Sequence, residues 1–333
     1  DPRLAEGPRP GGGDAGLDRA ARAVGDALRQ AVWDPIAERL GGAALLLVVT
    51  DGALQQISLA TLPDRGDRFV IDTTPPIHYL GAERDLVRLR APAPRGRGAL
   101  FVGGVDFDAP ARAATDRGPS EARPPAPERF DPLPGTRAEV ETLRTLRPDA
   151  ESPELLTGAA ATTAAFRALA PGRRLLHLAT HAWFMGTAGA PSILADRRLL
   201  SSGVAFAGAN RPGGDGILIA DQIAALDLSA AEWVVLSACD TGSGHLLGSE
   251  GVIGLRRAFE RAGARTVVTS LWPADDGAAR LWMRALYDAR AAGRSTPDAV
   301  RDASLQILEQ ARRSGRTPHP YYWGAFVAAG DWR

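Results

Sequence analysis

From Ala99 onward the chain alternates between two textures, and this restricts its fold more than any other feature. Short apolar runs at 99–105, 154–156, 175–181, 232–239 and 265–271 alternate with helically spaced stretches at 137–146, 162–169, 250–262, 276–292 and 297–312. Short apolar strands that alternate with helices of about 10–15 residues read as strand–helix–strand units. Such strands belong in a mostly parallel sheet covered by helices on both faces, an α/β architecture. In sheets of this kind the ligand crevice opens beyond the carboxyl ends of the strands. Three residues with useful chemistry stand at such ends: Asp106, His181 and Cys239.

Cys239 is the only cysteine in the chain. It is followed at once by the turn-formers Asp240-Thr241-Gly242-Ser243-Gly244, which leave its sulfur side open. A free thiol ionises near about 8.5, so it needs help to act as a nucleophile. An adjacent imidazole favours the thiolate and can later protonate a leaving amine. Two buried strands ending in His181 and Cys239 would supply that dyad. The backbone N–H groups of Ala182 and Cys239 are the natural donors to an oxyanion. The competing reading of a lone cysteine is a small buried hydrophobe. His177 shares strand parity with His181 but lies deeper, and reads as a core or supporting histidine. His78, His245 and His319 read as loop residues, structural or solvated.

The remaining segments set the domain boundaries. Residues 1–16 are rich in Gly and Pro and read as a disordered tail or linker. Residues 17–90 read as a helix, 17–40, followed by a smaller β-rich lobe with strands at 44–50, 54–59 and 68–72. Asp51-Gly52 between two of these runs is a hairpin signal. An extended piece ends near Leu80, and 83–89 reads as a short helix. The α/β domain spans 97–333, with a Pro-rich mobile loop at 108–134, a long insert at 183–216 and a closing strand at 321–329. Thr162 or Thr163, and Ser249, read as helix N-caps.

Composition excludes several function classes. The 39 basic and 39 acidic residues give a net charge of zero, which argues against nucleic acid or an anionic membrane as partner. No run of about 18 apolar residues marks a membrane span. A single cysteine forms no internal disulfide, which suits a reducing, cytoplasmic compartment. The histidines lack metal-ligand spacing, and there is no glycine-rich phosphate loop, so no metal or nucleotide cofactor is expected. The chain begins at Asp1 rather than Met, which reads as a trimmed chain or a piece of a longer protein.

The segments Leu176-His177-Leu178-Ala179-Thr180-His181 and Val234-Val235-Leu236-Ser237-Ala238-Cys239-Asp240-Thr241-Gly242 closely resemble the two signature motifs of the CHAT family. These are caspase-like cysteine peptidases of the clan that also holds caspases, separases and gingipains. Further matches follow in order: Glu250-Gly251, Gly254 to Phe259, Ala262-Gly263-Ala264, Ser270-Leu271-Trp272 with Asp275-Asp276, and His319 to Phe326. The histidine precedes the cysteine, as in caspase-type enzymes and unlike papain-type ones. The resemblance is strong from about Leu100 to Asp331 and looser over 45–89.

The resemblance implies a caspase-like three-layer fold, a bacterial style of peptidase, and endopeptidase activity on proteins through a thioester. His181 would be the general base and acid, and Cys239 the nucleophile. The family usually has glycine where this chain has Ala182, and a methyl there crowds the oxyanion site. The acidic residue after Trp272, Asp276 or failing that Asp275, would favour Arg or Lys before the cut, as in separases; Asp106 is a further pocket candidate. Asp275 and Asp276 equally suit a helix N-cap. The family is often fused to helical repeats that control it. No repeat of about 34 residues occurs here, so a regulatory partner or repeat module would lie outside this chain. The insert reads either as an ordinary loop or as a site of self-cleavage near Arg197, Arg198 or Arg211. Two other functions stay open: a degenerate scaffold or binding module, and an acyl hydrolase or transferase acting on a non-peptide substrate.

Overall fold

A computed structural model describes residues 15–92, 94–110, 129–146, 153–184, 202–211, 214–237 and 249–333. Its strands begin with β1 (Leu46–Val49), β2 (Ile77–Leu80), β3 (Arg97–Val105), β4 (Glu154–Gly158), β5 (Arg173–Leu178) and β6 (Ala182–Phe184). They continue with β7 (Ser202–Ala205), β8 (Ile217–Ile219), β9 (Trp233–Leu236), β10 (Thr266–Ser270) and β11 (Phe326–Gly330). The helices begin with α1 (Ala15–Leu28), α2 (Asp34–Ala37), α3 (Val70–Thr73), α4 (Asp85–Arg88), α5 (Pro134–Thr145) and α6 (Thr163–Leu169). They continue with α7 (Ala220–Ala224), α8 (Ser249–Arg261), α9 (Asp276–Ala291), α10 (Thr296–Arg313) and α11 (Pro320–Trp323). Among the described residues no helix is long and apolar enough to cross a membrane.

The chain divides into two compact units, and the larger holds residues 83–273 with 329–331. Its strands lie in the order β10-β9-β5-β3-β4, and each adjacent pair is parallel. The alternation of textures from Ala99 is therefore realised as a parallel sheet with helical crossovers. β9 is buried at all four positions, and Leu100, Phe101 and Val102 of β3 are fully buried. From α8, Leu255, Ala258 and Phe259, with Ala262 just past its end, recur at helical spacing and join the same core. Thr162 caps α6 as expected, its side chain accepting from the Ala165 N–H at 3.1 Å. A second, antiparallel sheet runs β6-β7-β8.

Helix α5 comes unusually close to β3. A Cβ on Gly103 would stand 2.6 Å from the Thr136 carbonyl oxygen, so the contact requires glycine. Gly104 has φ +57, a left-handed conformation that glycine adopts without strain. Its N–H donates to the Thr136 hydroxyl at 2.9 Å, which pins the start of α5 to the sheet.

The smaller unit holds residues 1–82, 274–328 and 332–333. Its strands run β1-β2-β11, and β1 pairs with β2 in parallel. Several local expectations are corrected here. The Asp51-Gly52 hairpin does not form; Asp51 instead caps a 3-10 turn at Gly52–Gln56, accepting from the Gly52 N–H. With a side-chain acceptor at Asp51, the turn chemistry is equally satisfied by a tight helical turn. The strand expected at 68–72 is the short helix α3, where the Asp72 carboxylate accepts from the Phe69 N–H at 2.8 Å. The long N-terminal helix passes through a π-helical turn at Arg29–Trp33 before Pro35. The strand expected at 321–329 starts as α11 and becomes extended only at Phe326. His78 lies within β2 and is buried rather than in a loop, while His319 caps α11, its ring nitrogen accepting from the Tyr321 N–H. His245 lies outside the described residues.

Candidate active site

Strands β5 and β9 are neighbours, in the register Leu175↔Trp233 through Leu178↔Leu236. Beyond the last pair the Ser237 N–H donates to the Leu178 carbonyl at 2.9 Å, so the two chains leave the sheet in step. His181 is three residues past Leu178, and Cys239 is three residues past Leu236. Adjacent strands are about 4.8 Å apart, so the chain at Ala179 and at Ser237 leaves the sheet side by side at one edge. Cys239 itself, the turn after it and its backbone N–H lie outside the described residues.

His181 is only 3% exposed. Its Nε2 lies 2.7 Å from the Asp131 carbonyl oxygen. A carbonyl only accepts, so Nε2 carries the hydrogen, and in the neutral ring the lone pair sits on Nδ1. The ring is flanked by Phe107 and Phe130, with centroids 5.1 and 5.5 Å away. The His181 carbonyl accepts from the Ala205 N–H at 2.9 Å, anchoring the turn into β6. That bond flanks the Ala182↔Val204 pair. Ala182 is therefore a non-hydrogen-bonded position of the ladder, and its N–H points away from β7.

Residues of the expected mobile loop and of the long insert build the wall of this site. Phe130 is buried, so the carboxyl end of the Pro-rich stretch is packed against His181 rather than loose. The Asn210 side chain pairs with both backbone groups of Phe130, accepting from its N–H at 2.7 Å and donating to its carbonyl at 3.0 Å. Sequence reasoning missed Asp131, Phe107, Phe130 and Asn210. A backbone carbonyl leaves no residue-type signal. A single phenylalanine within a Pro-rich polar stretch was the available clue.

His177 is fully buried, and its Nε2 lies 2.9 Å from the Glu139 carboxylate of α5. Asp106 is exposed, and one carboxylate oxygen accepts from the Asp108 N–H. Asp275 and Asp276 belong to the smaller unit. Asp275 caps α9 by accepting from the Ala278 N–H at 2.9 Å, and Asp276 is exposed in the first turn. Nearby in that unit, burial followed by the Asp275 charge pushes the Tyr322 phenol up, with Arg316 acting against them.

The CHAT domain family model matches residues 22–331, and the chain belongs to this family. The human tetratricopeptide repeat protein 28 is 30% identical over 106 residues, which are 32% of this chain and 4% of that protein. The mouse counterpart is 28% identical over 115 residues, again 4% of its length. The chain thus spans only a small fraction of the curated relatives it matches. Among solved structures, the Arg-specific cysteine proteinase gingipain R gives a TM-score of 0.53 at 10% identity, over 91% of this chain and 67% of that one. A complex of Porphyromonas gingivalis RgpB pro- and mature domains gives 0.52 at 10% identity, over 95% and 71%. The fold is caspase-like, as the motifs implied.

Proposed function

We propose that the chain is a cysteine endopeptidase whose dyad is His181 and Cys239. The observation that carries this reading is the in-step exit of β5 and β9, which starts both dyad-bearing segments from one aligned residue pair. With Nε2–H held by the Asp131 carbonyl, Nδ1 is the atom that takes the thiol proton. The thiolate then attacks the scissile carbonyl carbon, and the electron pair moves onto its oxygen. The N–H groups of Ala182 and Cys239 receive that oxyanion. Nδ1–H returns its proton to the departing amine, leaving a thioester that water hydrolyses with His181 again acting as base. The tetratricopeptide repeats named in the curated relatives support control by a repeat module or a protein partner.

The test compares iodoacetamide labelling of Cys239 in the unmodified protein and in His181→Ala, together with digestion of a peptide library. Histidine-dependent labelling and cleavage that vanishes in Cys239→Ala are expected. Labelling indifferent to His181, with an intact library, would leave the scaffold reading. Labelling that depends on His181 without peptide cleavage would leave an acyl hydrolase.

A further inference from the structure

We infer that Asn210 is a positioning residue that fixes the tautomer and orientation of His181 through the two phenylalanines beside it. Asn210 is bonded to the backbone of both. Its own N–H donates to the Phe107 carbonyl at 3.0 Å. Its side-chain amide pairs with the Phe130 N–H and carbonyl at 2.7 and 3.0 Å, much as a neighbouring strand would. The same Nδ2 donates to the Asp108 carboxylate at 3.1 Å. Each rim of the site is otherwise a short irregular segment with no ladder of its own. Supporting bonds join Gly208 N–H to the Asp106 carbonyl and Arg211 Nε to the Asp108 carbonyl, at 3.1 and 3.2 Å.

The consequence reaches the imidazole through the next residue. Asp131 follows Phe130 directly, and its carbonyl is the acceptor that holds hydrogen on Nε2. Freeing Phe130 therefore frees both a ring wall and the tautomer-setting carbonyl. A wrong tautomer places the hydrogen on the nitrogen that must accept the thiol proton, the same fault seen when the orienting group of a serine triad is altered. Among the described residues the hydrogen bonds of Asn210 reach Phe107, Asp108 and Phe130 rather than His181, so its effect on the ring runs through Asp131, Phe107 and Phe130. The proposal rests on the peptidase reading only for its consequence for rate; the tautomer itself is independent of it.

The experiment is nitrogen-15 NMR of histidine-labelled protein, with His181→Gln used for assignment, on the unmodified chain, Asn210→Ala and Asn210→Asp. The unmodified protein should show His181 with Nε2 protonated and Nδ1 bare in the neutral ring. Asn210→Ala should show mixed tautomers, and its Cys239 alkylation should slow about ten- to a hundredfold, the scale of a small misplacement. Asn210→Asp keeps the acceptor for the Phe130 N–H but loses the donor to its carbonyl, and should fall between. A folded Asn210→Ala protein, with unchanged circular dichroism, that keeps the unmodified protein's tautomer signals would overturn the proposal. So would collapse of the fold in both variants, which would make Asn210 structural only. If the unmodified protein shows no His181-dependent alkylation, the peptidase reading fails, while the nitrogen signals still decide this one.

Discussion

His177 and His181 stand four residues apart on one stretch of chain, yet they are held by different partners. His177 sits within the sheet, fully buried, with a carboxylate partner in Glu139. His181 sits past the strand end, with a neutral carbonyl partner in Asp131 and two phenylalanine walls. A carboxylate beside an imidazole makes a pair whose members depend on each other for solvation, so it serves the fold. A carbonyl orients the ring without adding charge, which leaves the second nitrogen free to exchange protons. What separates the two rings is the partner each has, and not burial, since both are nearly sealed.

The largest effect that would sharpen this contrast is on reactivity. His181→Ala should lower peptide cleavage and thiol alkylation by on the order of 10²–10⁴ while leaving the protein folded. An unchanged alkylation rate would erase the distinction between the two histidines. Next, His177→Leu should cost about 3 kcal/mol in denaturant unfolding, because it leaves the Glu139 carboxylate buried without its partner. The double change His177→Leu with Glu139→Leu should recover most of that loss, and additive losses would refute the pairing.

A carboxylate pair in the smaller unit, partly open to water, provides a reference. Arg312 grips both oxygens of Asp72, at 2.8 and 2.9 Å. Burial acts to raise the Asp72 carboxyl, but the Arg312 hydrogen bond, the Phe69 amide and the Arg312 charge outweigh it and hold it below the ordinary 3.8. The folded state therefore binds this proton less readily than the unfolded chain does. The stability it supplies is present above the ordinary value and is lost as pH falls through the folded-state value. Asp72→Asn should cost about 1–3 kcal/mol at pH 7, and melting curves taken at decreasing pH should show the deficit shrinking. The smallest effect should come from Ala182→Gly, which opens the oxyanion position. Cleavage should rise a few-fold while stability falls by about 0.5–1 kcal/mol.

The parallel layout of the larger unit was legible because short, mostly apolar strands alternate with helices along the sequence. β3, β5, β9 and β10 appear where the runs fall, and His181 appears just past its strand. The α6 and α9 boundaries also follow from the cap candidates Thr162 and Asp275. Residues 52–73 misled because Asp51, Asp72 and the glycines satisfy helical turns as readily as a hairpin. The walls of the site were illegible for another reason. Asp131 contributes only its backbone, and Asn210 acts on a partner 80 positions away, a separation that local pattern does not encode.

The bare backbone at Gly103 and Gly104 has a reach beyond its own strand. One helix and its lead-in supply the acceptors for both histidines, Glu139 from inside α5 and Asp131 from just ahead of it, and this helix rests on two residues without side chains. A single methyl group added at Gly103 would lift the helix and disturb the settings of His177 and His181 together. The tolerance of this sheet edge to substitution is therefore set from beneath, by atoms that are missing.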